Sequence, residues 1–380
     1  MKYSFLAYSA LNDSLVIDIS HIDHVNMAEE KLSAKVGAGI RLGPLYTVLA
    51  AAGRDWPGGI CPTVGLSGFL GAGGFNMQMR QTGLGIDHVL SAEVVLADGR
   101  TVTASADENP DLFWAIRGGG GGTYGIVVEW TLRLSAFPRS AMVLINWNDP
   151  NTTADVANKW IGWAPDTDKA LTTQLNVKTN TSQLIGWCYG CSVDKARALV
   201  DASGLLAIGT PQVFISGNCS SENARMIGFG ANECMPDEQV AKLAPLALNY
   251  PQQPFARIAN ASQFAWGQTL QDPSAPAAQP WPRIVRISKS FFLQRSRRPA
   301  PDHIADVVRR IQALPPAASV WGEWHSWNIA GNASSSAFAW RDEAYAHLEF
   351  IVTGSTDKQV EDGYLAWAED LENYLRPVVG

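Results

Sequence analysis

The sequence predicts an α+β protein of two domains, and three observations lead to this prediction. Segments with the period-two alternation of strands are interspersed with amphipathic helical segments along the chain. Glycine is concentrated before residue 138, whereas most of the 14 tryptophans lie after it. A chain of 380 residues is also longer than most single domains. We therefore expect a first domain over 1–137, a second over 138–355, and a helix over 356–380 that returns toward the first.

The first region is predicted to contain short strands, one hairpin and two helices. Asp98-Gly99 is a strong turn pair between two alternating segments. Gly53 ends the first helix, and Asn109-Pro110 begins the second, because proline suits the first helical position. The predicted strands are 15–20, 35–40, 92–96, 101–104 and 126–134, and the predicted helices are 42–52 and 110–116.

In the second region, strands and helices alternate as expected for an antiparallel sheet covered by helices on one face. A stretch rich in Pro, Ala and Gln at 272–282 is predicted to be a loop. The predicted strands are 141–146, 172–177, 183–188, 283–292, 319–329 and 347–352, and the predicted helices are 154–163, 193–203, 301–314 and 356–376.

Composition excludes several classes of protein. With 46% apolar and 17% charged residues, the chain is not predominantly disordered. The net charge is −7 and no block of Lys and Arg is present, so we expect no nucleic-acid partner. The apolar stretches are too short to cross a bilayer, so we expect no membrane partner. The composition leaves the oligomeric state open.

Cysteines and sequons bear on the cellular compartment. Cys188 and Cys191 have CxxC spacing, but no second pair completes a zinc site, so we expect no metal. Chance predicts roughly two Asn-x-Ser/Thr sequons. The excess favours a disulfide-containing glycoprotein of the secretory pathway. The alternative is a cytoplasmic, Ser/Thr-rich chain that is never glycosylated, because residues 1–8 make a poor signal peptide. The six sequons are at Asn12, Asn151, Asn180, Asn218, Asn260 and Asn332.

The glycine-rich segment 58–74 is the strongest candidate for a ligand site. Dense glycine lets backbone N–H groups approach a ligand closely. The segment is not a P-loop, because no Gly-Lys-Ser/Thr follows, and its spacing does not fit a dinucleotide fingerprint. A tightly packed loop without a ligand remains the alternative.

A series of motifs then follows in a fixed order. They are Cys61-Pro62-Thr63-Val64-Gly65, Gly68, Gly73-Gly74, Gly83-Leu84, Asp87, Glu93-Val94-Val95-Leu96-Ala97-Asp98-Gly99, Asn109-Pro110-Asp111-Leu112-Phe113-Trp114-Ala115, Arg117-Gly118-Gly119-Gly120 and Gly125-Ile126-Val127. This order resembles the PCMH-type FAD-binding domain of the vanillyl-alcohol-oxidase superfamily. Within that superfamily, the sequence is most similar to berberine-bridge-enzyme-like and oligosaccharide-oxidase-like FAD oxidases.

The resemblance implies an FAD-binding domain followed by a substrate domain whose antiparallel sheet covers the flavin ring. It places one group of residues beside the ring and pyrophosphate, and a second group along the adenosine side. The first group is Gly59, Ile60, Cys61, Pro62, Thr63, Val64, Gly65 and Gly68, and the second is Gly119, Gly120, Gly125, Ile126 and Val127.

Cys61 lies where some members of the family attach flavin C6 through a thioether. A cysteine between a glycine turn and Pro62 is presented on exposed backbone, as an attacking thiolate requires. A covalent link would leave four cysteines, enough for two disulfides. The alternative is a buried free cysteine that acts as a small hydrophobe.

The resemblance also implies segments that this sequence does not show. Family members carry an earlier Arg-Ser-Gly-Gly-His-like loop that binds the pyrophosphate, and a later Tyr-x-Asn-like segment. Met1 stands where that loop should end, and residues 375–377 stop short of the later segment. We therefore expect a partial FAD-binding domain that lacks its first lobe.

The catalytic candidates lie in the second region. Period-two alternation places Trp321, Glu323, His325 and Trp327 on one face of a strand. If that face meets the flavin, Glu323 or His325 is the candidate base, with tryptophan walls around a ring substrate. The alternative is a solvent-facing polar pair beside packing tryptophans.

The resemblance implies an oxidase that transfers hydride from an alcohol, phenolic or sugar-type substrate to flavin N5. Dioxygen is the expected second substrate and hydrogen peroxide the product. Fungal secondary-metabolite biosynthesis is the expected setting, and oxidation of an oligosaccharide is the alternative. An inactive family member with a binding role is a further alternative. An NAD(P)-dependent dehydrogenase is disfavoured because the dinucleotide fingerprint is missing.

Overall fold

A computed structural model describes residues 13, 15–60, 64–136, 138–219, 286–314, 319–331, 333–353 and 357–379. The chain forms two compact units. Of the described residues, the first unit holds those up to Arg139 together with Ala330–Ala339. The second unit holds most of the others, including those from Trp340 onward. Helices and antiparallel sheets occur together, which confirms the α+β class.

The first unit is built on a five-stranded sheet with the strand order β1-β2-β5-β3-β4. All of its strand pairs are antiparallel. The hairpin predicted at Asp98-Gly99 is confirmed, since Val95 pairs with Thr101 and Gly99 has a φ of 84°. The strands are β1 Val25–Met27, β2 Ser33–Gly37, β3 Val89–Val95, β4 Thr101–Ser105 and β5 Ile126–Arg133, and the helices are α1 Leu42–Ala51, α2 Leu66–Gly71, α3 Met79–Thr82 and α4 Pro110–Ile116.

The strand predicted over 15–20 is wrong, because residues 15–19 adopt no regular structure. The side chains of Leu15, Val16 and Ile17 are 88%, 52% and 59% exposed, so the apolar run does not mark a buried strand. The backbone just after this run forms hydrogen bonds outside any strand. Ile22 donates to the carbonyl of Ile19 and accepts from the N–H of Gly39.

The second unit is built on a seven-stranded sheet with the order β10-β12-β11-β7-β8-β6-β9. The predicted strands of this region are present, and β9 is an additional one. Cys188 and Cys191 form a disulfide just after β8. The strands are β6 Ser140–Trp147, β7 Leu171–Val177, β8 Ser182–Cys188, β9 Gln212–Cys219, β10 Arg286–Gln294, β11 Ser319–Ser326 and β12 Ala344–Thr353, and the helices are α5 Thr153–Trp163, α6 Val193–Asp201, α7 Pro301–Gln312 and α8 Lys358–Val379.

One face of the seven-stranded sheet forms the main apolar core. Leu175, Trp324 and Phe350 point from the strands into this core, where Trp160 of α5 and Leu371 of α8 meet them. Trp160 also donates its indole N–H to the hydroxyl of Thr173, at 3.0 Å, so its polar atom is satisfied within the core. The predicted sheet with helices on one face is therefore confirmed.

The long helix α8 was expected to return toward the first domain. The contacts described for α8 are with elements of its own unit, and its predicted return toward the first domain stays a prediction. Glu372 pairs with Lys289 of β10, Trp367 donates to the carbonyl of Arg310, and Tyr374 donates to Asp306 of α7. Among the described residues, the structure contains no helix long and apolar enough to span a bilayer.

Candidate functional site

The structure brings the two glycine-rich segments of the first unit together. The N–H of Gly120 donates to the carbonyl of Gly71, at 3.0 Å. A Cβ atom on Gly71 would lie 2.6 Å from the Cα of Gly121, closer than real Cβ contacts. Only residues without side chains allow these two backbones to approach so closely.

Next to this contact, two glycines have no described atom beside the position that a side chain would take. Gly65 begins the turn into α2, and Gly68 lies within that helix. A Cβ on either residue would meet no atom of the described chain within 4 Å. Val64 precedes them, and its carbonyl accepts from the N–H of Leu42. Small residues at an unfilled surface leave room for a bound group to reach the backbone.

The residues that lead into this segment are held by α1 and α2. Tyr46 of α1 donates its hydroxyl to the carbonyl of Gly59, at 2.7 Å. A Cβ on Gly59 would lie 2.9 Å from the ring of Phe69 in α2. Ile60 follows directly. The predicted site residues Cys61, Pro62 and Thr63 lie outside the described residues, so their predicted roles stay predictions.

The second predicted group serves internal packing. The N–H of Gly119 donates to the carbonyl of Ala115, and a Cβ there would lie 2.4 Å from the same oxygen. Gly125 has a φ of +144°, and a Cβ there would lie 2.7 Å from Val94. Ile126 and Val127 begin β5 and pair with β3. The structure therefore accounts for these glycines without a ligand, and their predicted place along the adenosine stays a prediction.

Residues Ala330–Ala339 belong to the first unit, although they follow β11 of the second unit in the sequence. Phe338 lies against Gly73 and Gly118, because a Cβ on either glycine would lie within 2.7 Å of Phe338. The N–H of Ala337 donates to the carbonyl of Trp114, at 3.2 Å. Phe338 thus packs against both glycine-rich segments, which indicates a structural role for this residue.

The open, glycine-lined surface fits a flavin dinucleotide in its chemistry. Such a cofactor presents an anionic pyrophosphate, which backbone N–H groups bind well, and a flat ring that needs close backbone approach. The residues available to hold it are Gly59, Ile60, Val64, Gly65 and Gly68.

In the second unit, the face of the sheet opposite the apolar core is polar. Residues that pair directly across antiparallel strands share a face. The register therefore aligns one polar side chain from each of six neighbouring strands in a single row. From β6 to β10, this polar row runs through Asn146, Gln183, Asn176, Glu323, Glu349 and Ser290.

The amide end of the polar row is internally hydrogen-bonded. Asn176 donates to Gln183 at 3.2 Å, and Gln183 donates to Asn146 at 2.8 Å. Gln174, which is 1% exposed, donates to Asn176 at 2.7 Å. Three hydrogen bonds thus link these four amides in a chain, which restricts the orientations of their side chains.

The two carboxyl groups of the polar row have raised pKa values. Burial, and then the nearby carboxylate of Glu349, raise the pKa of Glu323 to about 8. Burial also raises the pKa of Glu349, although a hydrogen bond from Ser288 opposes this rise. Glu323 is therefore mostly protonated at neutral pH.

A pair of histidines lies beside these carboxyls on the same two strands. His325 and His347 pair across β11 and β12, with Nδ1 atoms 3.3 Å apart. His325 Nε2 lies 3.7 Å from the Oε2 of Glu323. Burial lowers the pKa of His347 to about 4, and burial together with His347 lowers that of His325. Both imidazoles are therefore neutral at pH 7.

Aromatic rings surround His347. The ring of Phe292 lies 4.7 Å from that of His347 and stacks on Trp340 at 5.1 Å. Trp327 meets Phe292 edge-on and donates its indole N–H to the carbonyl of Trp340. This arrangement combines neutral proton acceptors with flat apolar surfaces.

The structure brings Glu323 and His325 together, as the alternation predicted. The alternative of a solvent-facing pair does not hold, since His325 is 3% exposed. Sequence reasoning missed His347, Glu349 and the amides. The alternation of His347 and Glu349 with apolar neighbours in β12 was the signal that could have found the first two.

Comparison with known proteins agrees with these features. A sequence model of the family described as FAD binding domain matches residues 2–105. The FAD-linked oxidoreductase pytB of Aspergillus terreus is 51% identical over 100% of this chain and 47% of its own length. The FAD-linked oxidoreductase pynB of Aspergillus niger is 47% identical over 100% of this chain and 70% of its own length. The chain thus spans about half of the first relative and more than two thirds of the second.

Solved structures show the same fold. Wild-type BBE-like 1 of Physcomitrella patens has a TM-score of 0.75 at 20% identity, over 95% of this chain and 70% of that one. Berberine bridge enzyme from Eschscholzia californica has a TM-score of 0.74 at 19% identity, over 99% of this chain and 69% of that one. The fold is therefore that of the berberine-bridge-enzyme-like flavoproteins, and the resemblance found in the sequence is confirmed. The chain belongs to the family of FAD-linked oxidoreductases.

Proposed function

We propose that this protein is an FAD-dependent oxidase of a small hydroxyl-bearing molecule, either an alcohol, a phenol or a sugar. The observation that supports it most is the pair of glycine-rich segments, which join at Gly71 and Gly120 next to open, glycine-lined backbone. The relatives named FAD-linked oxidoreductases support the same proposal. When bound, FAD supplies the hydride acceptor, and dioxygen takes up the electrons to give hydrogen peroxide.

The polar row supplies the groups for handling protons. Oxidation of a hydroxyl releases one proton besides the hydride, so an unprotonated base is needed near the reacting oxygen. At pH 7 His325 is neutral and can accept this proton. Glu323 becomes an acceptor only above about pH 8. We therefore propose His325 as the base at neutral pH and Glu323 as its partner.

The substrate class follows from the aromatic cluster and the relatives. Phe292, Trp327 and Trp340 offer flat surfaces that suit an aromatic ring or a sugar ring. We propose a fungal secondary metabolite as substrate, because both relatives aligned over the whole chain come from Aspergillus species. Oxidation of an oligosaccharide is the second candidate, since polar amides such as Gln174 and Asn176 suit sugar hydroxyls.

The proposed activity is tested on the purified protein. We expect a yellow protein with the visible absorbance of an oxidised flavin, which is bleached by substrate under anaerobic conditions. Admission of air should restore the colour and release hydrogen peroxide without added nicotinamide. A colourless protein that does not take up FAD would show instead an inactive family member with a binding role.

We also propose that Cys61 is linked covalently to the flavin. Its thiolate would form a C–S bond at flavin C6, the C6 hydrogen would leave as a proton, and dioxygen would accept the two electrons that this oxidation releases. We expect flavin to remain on the acid-denatured protein and to be released from both Cys61→Ala and Cys61→Ser. Release of intact FAD from the unmutated protein would refute the link.

For localisation, we propose the secretory pathway. Asn151, Asn180 and Asn218 are exposed, as glycosylation of these sequons requires. The disulfide between Cys188 and Cys191 supports the same proposal.

A further inference from the structure

Two carboxyl groups stand directly opposite each other in the polar row. Glu323 of β11 pairs with Glu349 of β12, so both side chains leave the sheet on the same face. Glu323 exposes only 19% of its side chain. Two carboxylates in such a position repel each other, because the shielded surroundings screen their charges poorly.

The neighbours of this carboxyl pair provide no described positive charge to offset the repulsion. From β7, Asn176 and Gln174 face it, and both are neutral amides. From β11 and β12, the facing groups are His325 and His347, which contact each other.

The fourth strand, β10, contributes hydroxyl groups to this face. Ser288 donates to Glu349 at 3.0 Å, and Ser290 pairs with it across the strands. The nearest described lysine of β10, Lys289, lies on the opposite face of the sheet, where it pairs with Glu372 of α8.

We propose that Glu349 is a positioning residue that keeps Glu323 protonated at neutral pH, so that the two carboxyl groups share one proton. Glu323 then presents an O–H group and no negative charge to the polar face. His325, 3.7 Å away, is left as the neutral proton acceptor. The assignment of a role in turnover rests on the proposed function, whereas the shared proton itself does not.

The shared proton makes the two groups titrate as a pair. Removal of Glu349 should make Glu323 easier to ionise, because the repulsion from the Glu349 carboxylate disappears. Removal of Glu323 should change the pKa of Glu349 little, because Glu349 ionises first, while Glu323 is still uncharged. If burial alone raised the pKa of Glu323, removal of Glu349 would leave that pKa unchanged. The two explanations therefore differ in a measurable way.

Infrared spectroscopy of a pH series distinguishes them, because a protonated carboxyl has its own C=O stretching band. In the unmutated protein, we expect a buried carboxyl band that is lost with a midpoint near pH 8. In Glu349→Gln, the midpoint should fall by about one pH unit or more. In Glu323→Gln, the band that is lost near pH 8 should be absent, and the residual band of Glu349 should titrate at the same pH as Glu349 in the unmutated protein. The control is Glu372→Gln, which lies on the other side of the sheet and should leave the band unchanged.

Urea unfolding gives a second measurement that does not depend on the spectra. A carboxyl whose pKa is raised by folding is destabilising above its unfolded pKa, so the urea midpoint should fall as pH rises from about 4.5 to about 8. The urea midpoint should fall less with pH in both Glu323→Gln and Glu349→Gln. In the double variant, the effects of the two substitutions on this pH dependence should not add. Unchanged titration of Glu323 in Glu349→Gln would overturn the proposal.

These measurements need no turnover, so their outcome is separate from that of the proposed function. The expected band shift in a colourless protein would support the shared proton and refute the oxidase. In an active protein, Glu349→Gln should also shift the pH profile of turnover downward by the same amount as the band. A purely structural role for Glu349 would leave that profile in place.

Discussion

The two units build their candidate surfaces from different atoms. In the first unit, Gly65, Gly68 and Gly71 expose or juxtapose backbone, and the absence of a side chain is what matters. In the second unit, Glu323, His325 and the residues paired with them act through their side chains, and the backbone only sets the register. Substitutions in the first unit should therefore act by steric exclusion at every pH, whereas those in the second should act through charge and depend on pH.

The largest effect is expected at Gly71. In Gly71→Ala, the new Cβ would lie 2.6 Å from the Cα of Gly121 and 2.8 Å from its nitrogen, so backbone must move. We expect a loss of about 2–4 kcal/mol in the free energy of unfolding, measured by urea denaturation. The loss should be the same at acidic and neutral pH. An unfolding free energy equal to that of the unmutated protein would show that the two glycine-rich segments are not closely packed in solution.

An intermediate, pH-dependent effect is expected at His347. Its pKa is about 4 in the folded protein and 6.5 in the unfolded chain, so the unfolded chain binds more protons between these values. The stability of the unmutated protein should therefore fall as pH drops from 6.5 toward 4. As pH falls through this window, the free energy of unfolding of His347→Gln should rise relative to that of the unmutated protein by on the order of 2 kcal/mol. A chemical denaturation series at several pH values measures it.

The control for this experiment is the exposed His24 of the first unit, which pairs with Glu129. His24→Gln should not produce the same gain in acid. If both histidine variants responded alike to pH, the contrast between the two units would be lost.

The smallest effect on stability is expected at Gly68. A Cβ in Gly68→Ala would meet open space within a helix, where alanine is favoured over glycine by about 1 kcal/mol. We expect the unfolding free energy to stay equal or rise slightly. The total flavin retained per chain after purification should fall, because covalent attachment also requires that the flavin first binds. Gly71→Ala alters a residue of the same helix. Comparison of the two variants therefore separates the effect of filling the surface at Gly68 from the effect of disrupting the fold. Full flavin retention in Gly68→Ala would place the cofactor elsewhere.

The contrast also explains what the sequence could and could not predict. The glycine-rich segments and the Asp98-Gly99 turn could be predicted from the sequence, because glycine is favoured where the backbone takes a positive φ or approaches another group closely. Glu323 and His325 were visible through alternation within one strand. The pairing of Glu349 with Glu323 was not visible, because pairing across strands depends on a register that no single strand contains. The strand predicted over 15–20 failed for a related reason: β-branched residues favour a strand only where a partner strand and burial exist.

The return of residues Ala330–Ala339 to the first unit has a consequence for how this protein can be divided or recombined. A proteolytic fragment that ended at Arg139 would leave Gly73 and Gly118 without Phe338, although all of its own strands were present. Conversely, exchange of the seven-stranded sheet with that of a relative would replace Phe338 at the same time. A recombined protein would therefore have to keep, at position 338, a side chain that packs on Gly73 and Gly118.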